Sequence, residues 1–286
     1  MNRIAIVTND GTLALFEFNF PNLIQILATQ ISSSSLFNIK FHGQKFVISD
    51  KKTIQVYNQN KQQYEYPVDA VSSLASINNF LIISSPSQTF IYDQENAFTT
   101  TDSSILVRII QNVPILADNK NFMIYQLPDK ILSKVNYQKH LGEYLVDYDL
   151  INNNLLVIGQ RKIIKLSSQQ DEIIQSFVLE NEKIICYCKF KNLIYIGCES
   201  GKIIQLSLEL QVLRKSGVSN QRIKSLKQFG DFIVYATTSG KIGVLSIDED
   251  DTILRISEID IKRRINDLDI CGGCYIQEEG CGEGEE

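Results

Sequence analysis

Histidine and tryptophan are the scarce residues of this 286-residue chain, which has two of the first and none of the second. With only His42 and His140, far apart in the chain, histidine-based acid–base catalysis lacks a set to work with. No HExxH, no Ser/His/Asp set and no paired carboxylates occur in a plausible frame, so an enzyme is not expected. No apolar run approaches the roughly 18 residues that a membrane-spanning helix needs. The first ten residues, MNRIAIVTND, turn polar too soon for a secretory leader. The six cysteines form no disulfide framework: Cys186, Cys188 and Cys198 sit in expected strands, and the other three crowd the C-terminus. Together these absences lead us to expect an intracellular protein that neither crosses nor binds a membrane. The net charge of -5 argues against a surface that binds nucleic acid all over, while leaving room for a local basic face.

What is present is a repeat. Residues 184–207 moved forward by 39 positions fall on 223–246 without a gap. Nine of the 24 pairs are identical, among them Phe190/Phe229, Ser200/Ser239, Gly201/Gly240, Lys202/Lys241 and Ile203/Ile242. In each copy an apolar run meets a small polar turn ending in Ser-Gly, and a second apolar run follows, which is the pattern of a β-hairpin. An all-β repeat of about 40 residues is the size of one four-stranded propeller blade.

The rest of the chain keeps that rhythm. Third-strand ends recur at Phe16, Tyr57, Tyr92, Tyr125, Leu166, Leu206 and Leu245, which implies seven blades. Innermost-strand candidates are 36–41, 71–77, 105–109, 144–150, 184–190, 223–229 and 265–270. The last has no blade after it, and residues 3–28 hold three strands with no innermost strand before them. One composite blade is therefore expected, three strands from the N-terminus and its innermost strand from 265–270, so that no long edge is left unpaired. Blade three is the least regular, because Pro114 falls in its second strand, where a proline points to an edge or a bulge. The domain reading is a seven-bladed β-propeller over residues 1–275, followed by a Gly- and Glu-rich tail at 276–286 that lacks the apolar surface to order itself.

Two motifs with chemical overtones have plainer readings. Cys271-Gly-Gly-Cys274, with Cys281 beyond, lacks the fourth ligand of a structural zinc site and is read as a strand end with free thiols. Ser200-Gly201-Lys202 and Ser239-Gly240-Lys241 lack the upstream glycine and the following helix of a phosphate loop, so they are read as hairpin turns. No metal and no cofactor is expected. His42 and His140 are placed in loops, and no set of polar and acidic residues converging on a central channel is discerned.

The repeat resembles those of WD-repeat propellers, although neither a Trp-Asp nor a Gly-His dipeptide occurs. Among them the chain is most similar to the PAK-interacting-protein/maintenance-of-killer WD-repeat family, factors of large ribosomal subunit biogenesis. The stretches that carry the likeness are Asn181-Glu182-Lys183-Ile184, Arg222-Ile223-Lys224, Thr238-Ser239-Gly240-Lys241-Ile242 and Arg264-Ile265-Asn266-Asp267-Leu268. The resemblance implies a non-catalytic scaffold of the nucleolus that assembles the large subunit, as a single copy within a larger complex of assembly factors and ribosomal proteins. A signalling adaptor for a protein kinase or a ubiquitin ligase is the alternative.

Lys183, Arg222, Lys224, Lys262, Arg263 and Arg264 all lie where an outer strand hands over to the next innermost strand, which in a propeller is one face. They are the candidate partner-binding residues. An acidic protein segment or ribosomal RNA phosphates would be the ligand, and a solvated rim is the alternative reading.

Overall fold

Every repeat folds into a four-stranded antiparallel sheet, and in blades four and five burial is greatest in the second and third strands and least in the fourth. The computed structural model describes residues 3–271 apart from 43–44, 51, 59–60, 68–69, 79, 94–95, 101–102, 128–129, 168–171 and 249. The chain opens with β1 (Arg3–Thr8), β2 (Thr12–Asn19) and β3 (Asn22–Gln30). Blade one holds β4 (Asn38–His42), β5 (Lys45–Ser49), β6 (Thr53–Asn58) and β7 (Lys61–Pro67). Blade two holds β8 (Ser73–Ile77), β9 (Phe80–Ser84), β10 (Thr89–Asp93) and β11 (Asn96–Thr100). Blade three holds β12 (Leu106–Ile110), β13 (Val113–Ala117), β14 (Asn121–Gln126) and β15 (Lys130–Asn136), and a single helical turn α1 (Gln138–Leu141) follows it. Blade four is β16 (Leu145–Ile151), β17 (Asn154–Gly159), β18 (Lys162–Leu166) and β19 (Ile173–Val178). Blade five is β20 (Ile184–Phe190), β21 (Leu193–Cys198), β22 (Lys202–Ser207) and β23 (Val212–Gly217). Blade six is β24 (Ile223–Phe229), β25 (Phe232–Thr237), β26 (Lys241–Ile247) and β27 (Ile253–Asp260), and β28 (Ile265–Cys271) ends the described chain.

The seventh sheet has the order β28-β1-β2-β3, so the composite blade forms as the sequence implies. Each first strand packs against the first strand of the next blade, and β28 packs against β4, which closes the ring. The expected tail, with Cys274 and Cys281, lies outside the described residues.

Second and third strands read as continuous apolar runs because a blade has a neighbour on both faces, so that after its first residue each of β21, β22, β25 and β26 buries four or five side chains in succession. Successive residues then serve opposite interfaces. In β25, Ile233 and Tyr235 pack toward blade five while Val234 and Ala236 pack toward the composite blade. In β1, Ile4 and Ile6 face blade six and Ala5 and Val7 face blade one. The described core accordingly divides into one cluster at each of the seven interfaces. Fourth strands have only solvent outside them, and in β19 and β23 exposure alternates.

Three sequence readings are corrected. Pro114 is an ordinary member of β13, opposite Ile109 of β12; the ladder to β14 begins only at Ile115, so the missing N–H falls outside that register. His140 belongs to α1 rather than to a loop, and that turn stops at Gly142, whose φ of +72° is the usual left-handed helix end. His42 is the last residue of β4, not a loop residue.

Candidate functional site

The Ser-Gly turns fix the geometry of one face. Gly201 and Gly240 join the second and third strands of blades five and six with φ of +85° and +106°. A Cβ on Gly201 would stand 2.2 Å from the carbonyl oxygen of Ser219, and one on Gly240 2.6 Å from that of Arg263. Only glycine admits the inter-blade loop this close. The carbonyl of Gly201 accepts hydrogen bonds from the N–H groups of Val218 and Ser219, and that of Gly240 accepts one from Ile261.

In blades five and six and in the composite blade, the residue just before the first strand is tied down in the same way. The carbonyls of Lys183, Arg222 and Arg264 accept hydrogen bonds from the N–H groups of Glu199, Thr238 and Asn9, at 2.9, 3.1 and 3.1 Å. These three side chains thus hold equivalent positions in three consecutive blades. One residue earlier sits a clamp. Glu143 accepts from the N–H groups of Arg161 (2.8 Å) and Lys162 (2.7 Å), and Glu182 accepts from the N–H (3.2 Å) and hydroxyl of Ser200. In the composite blade Arg263 fills the clamp position, donating to Asp10 at 3.1 Å and to the hydroxyl of Thr12. Burial raises the pKa of Asp10, but hydrogen bonds from Thr8 and Thr12 and the charge of Arg263 outweigh it, leaving the carboxyl below its usual range.

The six candidate residues therefore separate. Lys183, Arg222, Lys262, Arg263 and Arg264 do share the inter-blade face, but Arg263 is engaged as the clamp and Arg222 pairs with Glu199 of the neighbouring blade. Lys183 lines a cleft with Glu182 and Glu199, so the sector is mixed in charge rather than basic. Lys224 does not belong to the rim at all. The β24–β25 register skips it, Ile223 facing Thr237 and Ser225 facing Ala236, so it is the extra residue of a bulge and its side chain lines the central channel.

That channel holds the set that the sequence reading missed. Around its wall stand Lys40 of β4, Arg108 of β12, Asp149 of β16, Lys189 of β20, Lys224 and Lys227 of β24, and Asp267 and Asp269 of β28, with the buried Asp147 of β16 paired to Arg108. Several of these are consumed in structure. Lys40 pairs with Asp269 at 3.1 Å, Arg108 makes a two-pronged pair with Asp147, and Asp149 accepts the hydroxyl of Tyr187 at 2.6 Å. Asp267 and Asp269 also accept the N–H groups of Ile39 (3.1 Å) and Phe41 (2.8 Å), and the amide of Asn266 donates to the carbonyl of Leu36 (2.7 Å). Side chains of β28 thereby stitch the composite blade to blade one. Burial raises the pKa of Asp267 above the ordinary carboxylate range, against the pull of Lys227 and two backbone N–H groups. Aspartates two apart in a strand share a face, so Asp147/Asp149 and Asp267/Asp269 were findable signals.

Burial pushes the thiols of Cys188 and Cys198 up to about 12 each, which disfavours the thiolate form. Among the described residues no group of three or more His, Cys, Asp or Glu is placed to hold a metal ion. No helix of the structure is long and apolar enough to cross a membrane.

No family model and no curated protein sequence matches the chain. Solved structures do match it. The WD40 β-propeller domain of Doa1 superimposes with a TM-score of 0.72 at 13% identity, over 87% of this chain and 90% of that one. Sqt1 of Saccharomyces cerevisiae gives 0.69 at 11% identity over 93% and 84%, and the computationally designed Ika8 protein 0.68 at 12% over 92% and 86%. At these identities the likeness is one of fold, and the fold is a seven-bladed propeller of the WD40 kind.

Proposed function

On the premise of a WD40-type fold, which typically serves as a scaffold, we propose that this chain is a non-catalytic platform for protein–protein interaction, with the inter-blade face of blades five to seven as the contact surface. One observation carries this: Lys183, Arg222 and Arg264 project from equivalent positions whose backbone is already fixed by hydrogen bonds. Side chains on such anchored positions can meet a partner without the backbone having to be ordered first. Because Glu182, Glu199 and Asp10 are interspersed on that face, an acidic protein segment able to select individual cations fits better than an extended nucleic-acid backbone.

The finer reading is a nucleolar factor of large ribosomal subunit assembly, and its support is the likeness of the short stretches at 181–184, 222–224, 238–242 and 264–268 to the PAK-interacting-protein family. Its test is sedimentation of tagged protein with precursor large subunits at low and moderate salt. The variant Lys183→Glu/Lys262→Glu/Arg264→Glu removes cations without touching the clamp at Arg263 or the Arg222–Glu199 pair. Wild type is expected to travel with the particles and the variant to leave them. Equal sedimentation of both would reduce the sector to a solvated rim. Absence of both from the particles would remove the ribosomal reading and favour an adaptor for a kinase or a ubiquitin ligase.

A further inference from the structure

The channel opens on two faces, and the mouth away from the inter-blade loops differs in charge from the rest of the protein. It is a cavity of about 510 Å³ whose charged and amide lining is Arg108, Asp149, Lys189, Lys191, Lys227 and Gln228. Four cations thus meet one carboxylate in a chain whose net charge is -5. That carboxylate, Asp149, is occupied by the hydroxyl of Tyr187, and Arg108 by Asp147. Lys191 rests over the ring of Phe190, 5.4 Å from its centroid. Lys189 and Lys227 come from the first strands of adjacent blades, β20 and β24, and among the described residues neither forms an ion pair with a carboxylate. Lys227 feels the charge of Asp267 within the channel, yet the cations of this mouth outnumber its carboxylates, so they repel each other and low-dielectric walls focus their field on the opening. Such an arrangement is relieved by an anion that several amines can share.

We propose that this mouth binds a small anion carrying two or more phosphate groups, with Lys189 and Lys227 as its main contacts and Lys191 and Gln228 at the rim. The volume lies within the range of small-molecule sites, roughly 300–1,000 Å³. A channel walled by seven first strands also excludes a duplex. The site is on the opposite face from the surface proposed above for protein partners, so it does not depend on that reading.

The experiment is calorimetric titration of the full chain with sodium tripolyphosphate, inorganic phosphate and an oligouridylate of about eight nucleotides, at about 50 and about 200 mM salt. Tripolyphosphate is expected to bind one to one and at least tenfold more tightly than inorganic phosphate. Lys189→Gln/Lys227→Gln should weaken it at least tenfold with an unchanged circular dichroism spectrum, Lys227→Arg should retain it, and Lys262→Gln/Arg264→Gln on the other face should leave it unaltered. Absence of binding at low salt, equal affinity for inorganic phosphate, or equal affinity in the double variant would each overturn the proposal. Tighter binding of the oligouridylate through the same two lysines would overturn it in favour of a single-stranded nucleic acid.

Discussion

Neighbouring arginines in this protein have different work to do. Arg263 and Arg264 are adjacent, yet the first holds Asp10 and Thr12 while the second makes its tie, to Asn9, only through its backbone carbonyl. Their substitution should therefore separate them. Arg263→Glu places a carboxylate beside Asp10 and should lower stability by about 1 kcal/mol, the scale of losing an exposed pair and bringing two like charges together. Arg264→Glu should stay within about 0.5 kcal/mol of wild type. The pH dependence identifies the cause. The folded pKa of Asp10 lies below its unfolded value, so its contribution is present above the unfolded pKa and is lost as pH falls through the folded one. In Arg263→Gln the melting-temperature deficit should accordingly be full near pH 7 and close as pH falls below about 4, the ordinary aspartate range. A deficit that persists unchanged at low pH would mean that Arg263 acts through packing instead.

At the scale of the strand, six blades carry a bulge at one shared place. The ladder between third and fourth strands shifts register at Leu15/Phe16, Val56/Tyr57, Ile124/Tyr125, Lys165/Leu166, Gln205/Leu206 and Val244/Leu245. The second residue of each pair is the large third-strand end from which the repeat was counted in sequence, and all six are buried. The extra residue lies on the outer strand, and in four blades it is Ile26, Leu132, Ile174 or Leu213, among the most exposed apolar side chains of the protein. A bulge twists and interrupts an edge that would otherwise pair with another molecule. Deleting Leu213 removes the unpaired residue and leaves the pairs on either side intact, so the outer edge of blade five should flatten. Sedimentation velocity over a range of concentrations should then show self-association that the wild type lacks, whereas Leu213→Lys, which keeps the bulge, should remain dispersed. A deletion variant that stays monomeric throughout would show that the bulge does not guard the edge. No periodicity argument reveals these bulges beforehand, since an extra residue in a strand looks the same as a longer turn. The same blindness put Lys224 on the rim instead of in the channel.

For the whole molecule, the ring was legible because each blade repeats the same burial problem, and buried apolar runs recur wherever the same pair of strands is enclosed. Charge placement was not, because partners such as Asp10 and Arg263, or Lys40 and Asp269, are more than 200 residues apart and meet only when the ring closes. Closure itself rests on β28. It pairs along the length of β1 in the composite blade, and Asn266, Asp267 and Asp269 reach across to Leu36, Ile39, Lys40 and Phe41 of blade one. Removal of residues 262–286 would expose the inner edge of β1, leave Ile4, Ile6 and Ala5 uncovered on the channel side, and free the Gly240–Ile261 junction to fray. An edge strand of that kind, long and apolar, is a template for aggregation. The truncated chain should therefore melt well below the full chain and aggregate on concentration. The double variant Asp267→Asn/Asp269→Asn is the milder probe, because it keeps β28 and its apolar contacts while removing the charge that pairs with Lys40. Its melting temperature should fall between those of the full and truncated chains. Thermal melts that coincide for the full and truncated chains would mean that six blades close without the seventh first strand, and that the composite blade is dispensable.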